Sequence, residues 1–203
     1  LSTSFHGPGP SGSSCITGID VCIWKPLVVT CGRDRTVRVW NYQERAVELM
    51  KEFPEEAQSV AMHPSGLYVL AGFADKVRLM SLLMDDIRPV KELQIKNCRE
   101  LAFAHGGHCF AVANNTLVQI INTYTCEVIV NLRGHNGKVR SVVWGKGDRK
   151  IMTVGMDGAV FIWSVRQGVK ESEHVQPRTA FHAGVATPEL SRIFTVSSDQ
   201  AVK

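Results

Sequence analysis

The chain has 203 residues, 44% hydrophobic and 21% charged, with a formal net charge of +4. That composition is of a folded soluble domain, not a disordered tail, and no apolar run reaches the roughly 18–20 residues of a membrane-spanning helix. Lys and Arg are scattered among Asp and Glu with no basic block to grip phosphates, so neither nucleic acid nor a membrane is expected as a partner. In chain order, the opening Gly7-Pro8-Gly9-Pro10-Ser11-Gly12-Ser13-Ser14 closes a stretch 1–14 that reads as a flexible loop or linker. Leu1 is followed by no basic-then-apolar leader, so no signal peptide is expected. The last residues stop inside a repeated pattern, so the chain is expected to be a fragment of a longer protein.

The pattern has a period of about forty residues. Val28-Val29-Thr30-Cys31-Gly32-Arg33-Asp34 leads into Val37-Arg38-Val39-Trp40, a β-branched run, a turn and a second short run, which predicts two strands. Ala71–Asp75 leads likewise into Val77-Arg78-Leu79-Met80, one residue shorter after the Asp. Leu82-Leu83-Met84-Asp85-Asp86-Ile87-Arg88 reads as an unusually apolar link between two units. Ala111-Val112-Ala113-Asn114-Asn115 then leads into Leu117–Ile121. The clearest unit begins at Gly134-His135 and runs through Thr153 and Asp157 to Val160-Phe161-Ile162-Trp163; a fifth begins at Ile193 and reaches Thr195 and Asp199. The turn residues Asp34, Asp75, Asn115, Asp157 and Asp199 are spaced by 41, 40, 42 and 42. His63-Pro64-Ser65-Gly66, His105-Gly106-Gly107 and Gly145-Lys146-Gly147-Asp148 recur at the same period and predict hairpin turns. No stretch sustains a helical period, so very little helix is expected.

A period of 40–45 residues with Gly-His and Trp signatures resembles the WD-repeat β-propeller family. The resemblance implies an all-β propeller fragment of about four four-stranded blades, at 15–53, 54–95, 96–134 and 135–176, with a partial one at 177–203, all within a propeller part spanning 15–203. It also implies that His135, Thr153, Asp157 and Trp163 form a structural tetrad. Thr30, Asp34 and Trp40 are their counterparts in the first blade, Asp75 and Met80 in the second, Asn115 and Ile121 in the third, and Thr195 and Asp199 in the fifth; Met80 and Ile121 take the Trp pocket. A catalytic reading of the tetrad would need an accessible nucleophile and an oxyanion site, for which the sequence offers nothing. Gly134–Val139 lacks the spacing of a phosphate loop, and His105-Gly106-Gly107-His108 offers two metal ligands where zinc takes four. No cofactor and no metal is therefore expected. None of Cys15, Cys22, Cys31, Cys98, Cys109 and Cys126 forms a Cys-x-x-Cys pair, and most lie in apolar runs, so reduced, buried thiols of an intracellular protein are expected.

Between the repeat positions, strings such as Cys15–Cys22, Lys51-Glu52-Phe53, Gly72-Phe73-Ala74-Asp75-Lys76 and Asp85–Pro89 resemble a family of axonemal WD-repeat proteins of motile cilia and flagella. This implies a non-enzymatic protein-interaction scaffold of the cytoplasm and cytoskeleton. It implies as partners other axonemal proteins, the inner dynein arm and neighbouring doublet-microtubule components, and no small-molecule substrate. A WD adaptor subunit of a ubiquitin-ligase or chromatin-associated complex is the alternative, and a propeller enzyme the third reading.

Overall fold

The structure, a computed structural model, describes residues 15–199, 201 and 202. The stretch 1–14 expected to be a linker lies outside them. The described residues form five antiparallel sheets, each a simple meander of neighbours in sequence. The first holds β1 (Ile16–Val21), β2 (Leu27–Gly32), β3 (Thr36–Asn41) and β4 (Ala46–Glu52), and the second β5 (Ser59–Met62), β6 (Tyr68–Gly72), β7 (Val77–Leu82) and β8 (Ile87–Leu93). The third holds β9 (Cys98–Phe103), β10 (Cys109–Asn114), β11 (Leu117–Asn122) and β12 (Val128–Arg133). The fourth holds β13 (Val139–Trp144), β14 (Lys150–Gly155), β15 (Ala159–Ser164) and β16 (Lys170–Val175), and β17 (Phe181–Ala186) pairs with β18 (Ile193–Ser197) in the fifth. Apart from strands, only a 3₁₀ turn at Lys146–Asp148 is regular among the described residues. The fold is all-β, as four-stranded WD blades require.

Burial follows position in the sheet. The second strands are almost wholly buried, as their continuous apolar runs dictate, while the fourth strands β4, β8, β12 and β16 lie largely open. Those outer strands carry Glu48, Lys51, Lys91, Glu92, Lys170, Glu171 and Glu173, charges that discourage a sheet edge from pairing with another chain. The chain divides after Cys98 into two compact units. In the first, Val29, Val39, Met62, Val69, Phe73 and Met80 share one core between the two sheets. In the second, Val118, Ile120, Trp144, Ile151, Phe161 and Trp163 form one core, and Met152, Val154, Phe181 and Leu190 form another toward the last hairpin.

One expectation is corrected. Leu82–Arg88 does not link blades: Leu82 ends β7, pairs directly with Ile87, and the chain returns along β8 within the same sheet. The Leu83 N–H donates to the Asp86 carbonyl at 2.9 Å to close the hairpin, and Lys51 reaches the Asp86 carboxylate at 2.8 Å. Ile87 is buried while Met84 stands fully exposed at the tip, so the apolar string is half core and half turn. Of the cysteines, Cys22, Cys31, Cys98 and Cys109 are buried free thiols, Cys126 is half-buried and Cys15 is exposed. Burial pushes the Cys31 and Cys109 thiols up to about 11.

Candidate functional site

The polar centre of the fourth sheet is built from two strands, the turn between them and the loop that leads into the sheet. Gly134-His135 lies in the loop before β13, Thr153 in β14, Asp157 in the β14–β15 turn, and Trp163 near the end of β15. The Trp163 indole N–H donates to Thr153 Oγ1 at 2.9 Å, His135 Nε2 lies 2.7 Å from the same oxygen, and His135 Nδ1 lies 3.1 Å from Asp157 Oδ1. Asp157 also accepts the Asn136 N–H at 2.7 Å and the Ala159 N–H at 3.3 Å. The Phe161 ring lies 4.4 Å from the imidazole and meets Trp163 edge-on at 5.6 Å. Gly155 makes room for all this: a Cβ there would sit on Asp157 Oδ1 and His135 Nδ1.

The protons can be placed by elimination. An ionised carboxylate only accepts, so Nδ1 of His135 carries the hydrogen that points at Asp157. Burial holds the imidazole below its ordinary 6.5 against the pull of Asp157, so Nε2 is bare and accepts the Thr153 hydroxyl proton. Thr153 in turn accepts from Trp163. Burial pushes Asp157 up, but the Asn136 N–H, His135 and the Gly137 N–H outweigh it and leave the carboxyl below its ordinary 3.8. His135, Thr153 and Trp163 are buried, the Thr153 hydroxyl with them, and Asp157 forms the partly open end of the chain of bonds. It ties a loop to a hairpin turn, and its hydroxyl faces no solvent in which a substrate could meet it.

Both shifts are downward, so the stability they contribute is present above the ordinary value and lost as pH falls through the depressed one. For His135 that loss begins below 6.5, and for Asp157 below 3.8. His135 is therefore expected to subtract stability as pH falls below 6.5, in the window where Glu100, pushed up to about 7 by burial, adds it, so the melting temperature of His135→Gln gains on that of the parent protein as the pH is lowered; melts of both across a pH series check it. Parallel curves for the two proteins would remove His135 as the cause.

The other sheets place the corresponding residues in the same register, with different chemistry. In every four-stranded sheet the pairing of third and fourth strands slips by one residue at one spot, just before Trp40, Met80, Ile121 and Trp163. In the first sheet Trp40 donates to Thr30 Oγ1 at 2.8 Å. Asp34 accepts the Thr36 N–H at 3.1 Å and is paired by Arg38 at 3.0 Å. Thr30 and Thr153 stand opposite Arg38 and Phe161; the matching residues in the second and third sheets, opposite Arg78 and Gln119, are Ala71 and Val112. Where the indole N–H is lost to the buried Met80 or Ile121, the hydroxyl is lost with it, so neither leaves a stranded group. Asp75 lies on its turn but half in solvent, with Lys76 at 3.6 Å, and Asn115 turns its chain at φ 51. In the fifth sheet Thr195 is buried, and Asp199 accepts from Ser197 Oγ and from the Ala201 N–H at 3.2 Å.

Links between neighbouring blades, absent from the sequence reading, use residues one period apart. Asp148 accepts the His105 and Gly106 N–H groups at 2.9 and 2.8 Å, with the His105 ring at 2.9 Å. Trp144 donates to the Ala102 carbonyl at 3.1 Å, and Asp20 accepts the Met62 N–H at 2.7 Å. The only signal for them was their place in hairpin turns and first strands. His105 thus serves a turn carboxylate, and His108 shares no metal cluster with it among the described residues.

A family profile described as "WD domain, G-beta repeat" matches residues 2–41 and 126–164. Those spans take in the strands that carry the Thr30–Trp40 and Thr153–Trp163 pairs. Cilia- and flagella-associated protein 57 of Mus musculus is 47% identical over 194 residues, 96% of this chain and 16% of the relative. Cilia- and flagella-associated protein 57 A of Tetrahymena thermophila is 48% identical over 158 residues, 77% of this chain and 12% of the relative. WD repeat-containing protein 1 of Gallus gallus is 29% identical over 154 residues, 73% of this chain and 25% of the relative. The chain thus spans a quarter or less of each of these relatives. With its four-stranded sheets and the family profile together, the chain is a run of WD-repeat β-propeller blades.

Proposed function

We propose that the protein is a non-enzymatic interaction scaffold of the motile-cilium axoneme, which helps to assemble or anchor inner dynein arms on doublet microtubules. This chain supplies propeller blades to it, at 15–53, 54–95, 96–134 and 135–176 and in part at 177–203. The observation that carries the reading is 47% identity to mouse cilia- and flagella-associated protein 57 across 96% of this chain. That span holds the degenerate second and third blades as well as the two that the general profile matches. The physical architecture suits the role. Turns locked by carboxylates onto backbone N–H groups hold their loops rigidly, so a protein partner docks with little ordering cost. The tetrad belongs to that locking, and the partners are other axonemal proteins, not nucleic acid, a membrane or a small-molecule substrate.

Tagged full-length protein expressed in motile ciliated cells is expected to line the axoneme. Diffuse cytosolic or nuclear signal with empty axonemes would overturn the assignment and favour an adaptor of another intracellular complex.

A further inference from the structure

In the second unit a cavity of about 370 Å³ is lined by Arg99, Lys138, Arg140 and Met156. That is within the size range of small-ligand pockets, roughly 300–1,000 Å³. Arg99 lies on β9, Lys138 just before β13, Arg140 on β13, and Met156 in the β14–β15 turn. Arg140 is the extra residue of a bulge, since pairing with β14 slips between Val139 and Ser141. Bulges re-aim a side chain, and they recur beside functional sites. The Arg140 Nε is buried and has no hydrogen-bond partner among the described residues. A buried guanidinium N–H without an acceptor is costly, and the cost vanishes when an anion supplies one. Glu100, next to Arg99, is pushed up to about 7 by burial against the pull of Arg140, so near neutrality it offsets the Arg140 charge only in part.

We propose that this cavity is a carboxylate socket, in which Arg140 takes an acidic side chain of a partner peptide while Arg99 and Lys138 attract it. A guanidinium presents a planar fork that matches a carboxylate, and Met156 gives the methylenes of a Glu side chain an apolar wall. Nucleic acid fits less well: among the described residues no aromatic side chain lines the cavity to stack a base.

The test uses purified full-length protein and a fluorescent oligo-glutamate peptide, followed by anisotropy beside an oligo-glutamine peptide of equal length. Oligo-glutamate is expected to bind and oligo-glutamine not. Arg140→Gln weakens binding by about tenfold or more, because a charge-assisted hydrogen bond is lost. Lys138→Gln, at an exposed residue whose loss leaves the core intact, weakens it several-fold, whereas Lys91→Gln on exposed β8 removes the same charge and leaves affinity unchanged. Equal losses in Lys91→Gln and Lys138→Gln, equal binding of the glutamine peptide, or no binding of oligo-glutamate would overturn the socket. Tighter capture of a phosphoserine peptide, inorganic phosphate or single-stranded RNA would overturn the choice of ligand. The socket is independent of cellular address: oligo-glutamate binding with empty axonemes keeps it and removes the axonemal reading, and the reverse result does the opposite.

Discussion

Asp157→Ala is expected to lower the free energy of unfolding by about 1–3 kcal/mol, the cost of leaving buried donors unsatisfied. The carboxylate accepts from His135 Nδ1, the Asn136 N–H and the Ala159 N–H, and its side chain is only 13% exposed. Alanine removes all three bonds at once, and the loss falls hardest on His135 Nδ1, whose ring is buried while the Asn136 N–H is open to water. Once Nδ1 has no acceptor, the imidazole no longer prefers the tautomer that leaves Nε2 free for Thr153, so the damage passes along the chain of bonds toward Trp163. Asp75→Ala is the control: that residue occupies the comparable turn of the second sheet but its side chain is 54% exposed. A surface change of this kind is expected to stay within about 0.5 kcal/mol. Urea or thermal melts of the two variants beside the parent protein check both halves. Equal melts for Asp157→Ala and the parent would show that the bonds of this network contribute nothing to holding the blade.

Much of this architecture is legible in the sequence because a WD unit writes its in-blade register into residue spacing. A Thr four before an Asp and a Trp six after it set the acceptor, turn and donor on adjacent strands, and Thr30–Trp40 and Thr153–Trp163 are joined in the structure by single hydrogen bonds. Spacing is silent on what passes between blades. Asp148 capturing the His105 and Gly106 N–H groups, and Trp144 reaching the Ala102 carbonyl, depend on how two sheets pack, and nothing local marks those residues as partners. The Arg140 bulge is invisible for the same reason, since Val139-Arg140-Ser141 reads as an ordinary strand start whether or not its pairing slips. Leu82–Arg88 misleads in another way. Its apolar residues divide between a buried strand position at Ile87 and an exposed tip at Met84, and composition alone cannot separate the two.

Gly158→Ala is expected to cost about 2 kcal/mol or more, combining the strain of a left-handed residue with overpacking. Gly158 has φ +72, and a Cβ built on it would fall on the carbonyl oxygens of Gln176 and Thr179, which are backbone atoms with no rotamer to yield. Its own backbone is held at both ends, the N–H by the Gly155 carbonyl at 3.2 Å and the carbonyl by the Gln176 N–H at 2.7 Å. Arg35 occupies the same place in the first sheet, bonded to Gly32 at 3.2 Å and to Phe53 at 2.8 Å, yet carries a side chain at φ 62. The first blade therefore tolerates a strained residue where the fourth has glycine. Arg35→Gly is expected to relieve that strain and raise stability by about 0.5–1 kcal/mol, the roughly 1–2 kcal/mol of left-handed strain less the entropy of a freer unfolded chain. Opposite signs at two equivalent turns are the diagnostic result in parallel melts. If Gly158→Ala melted with the parent protein while Arg35→Gly melted lower, backbone handedness would not be what selects the residue at this turn.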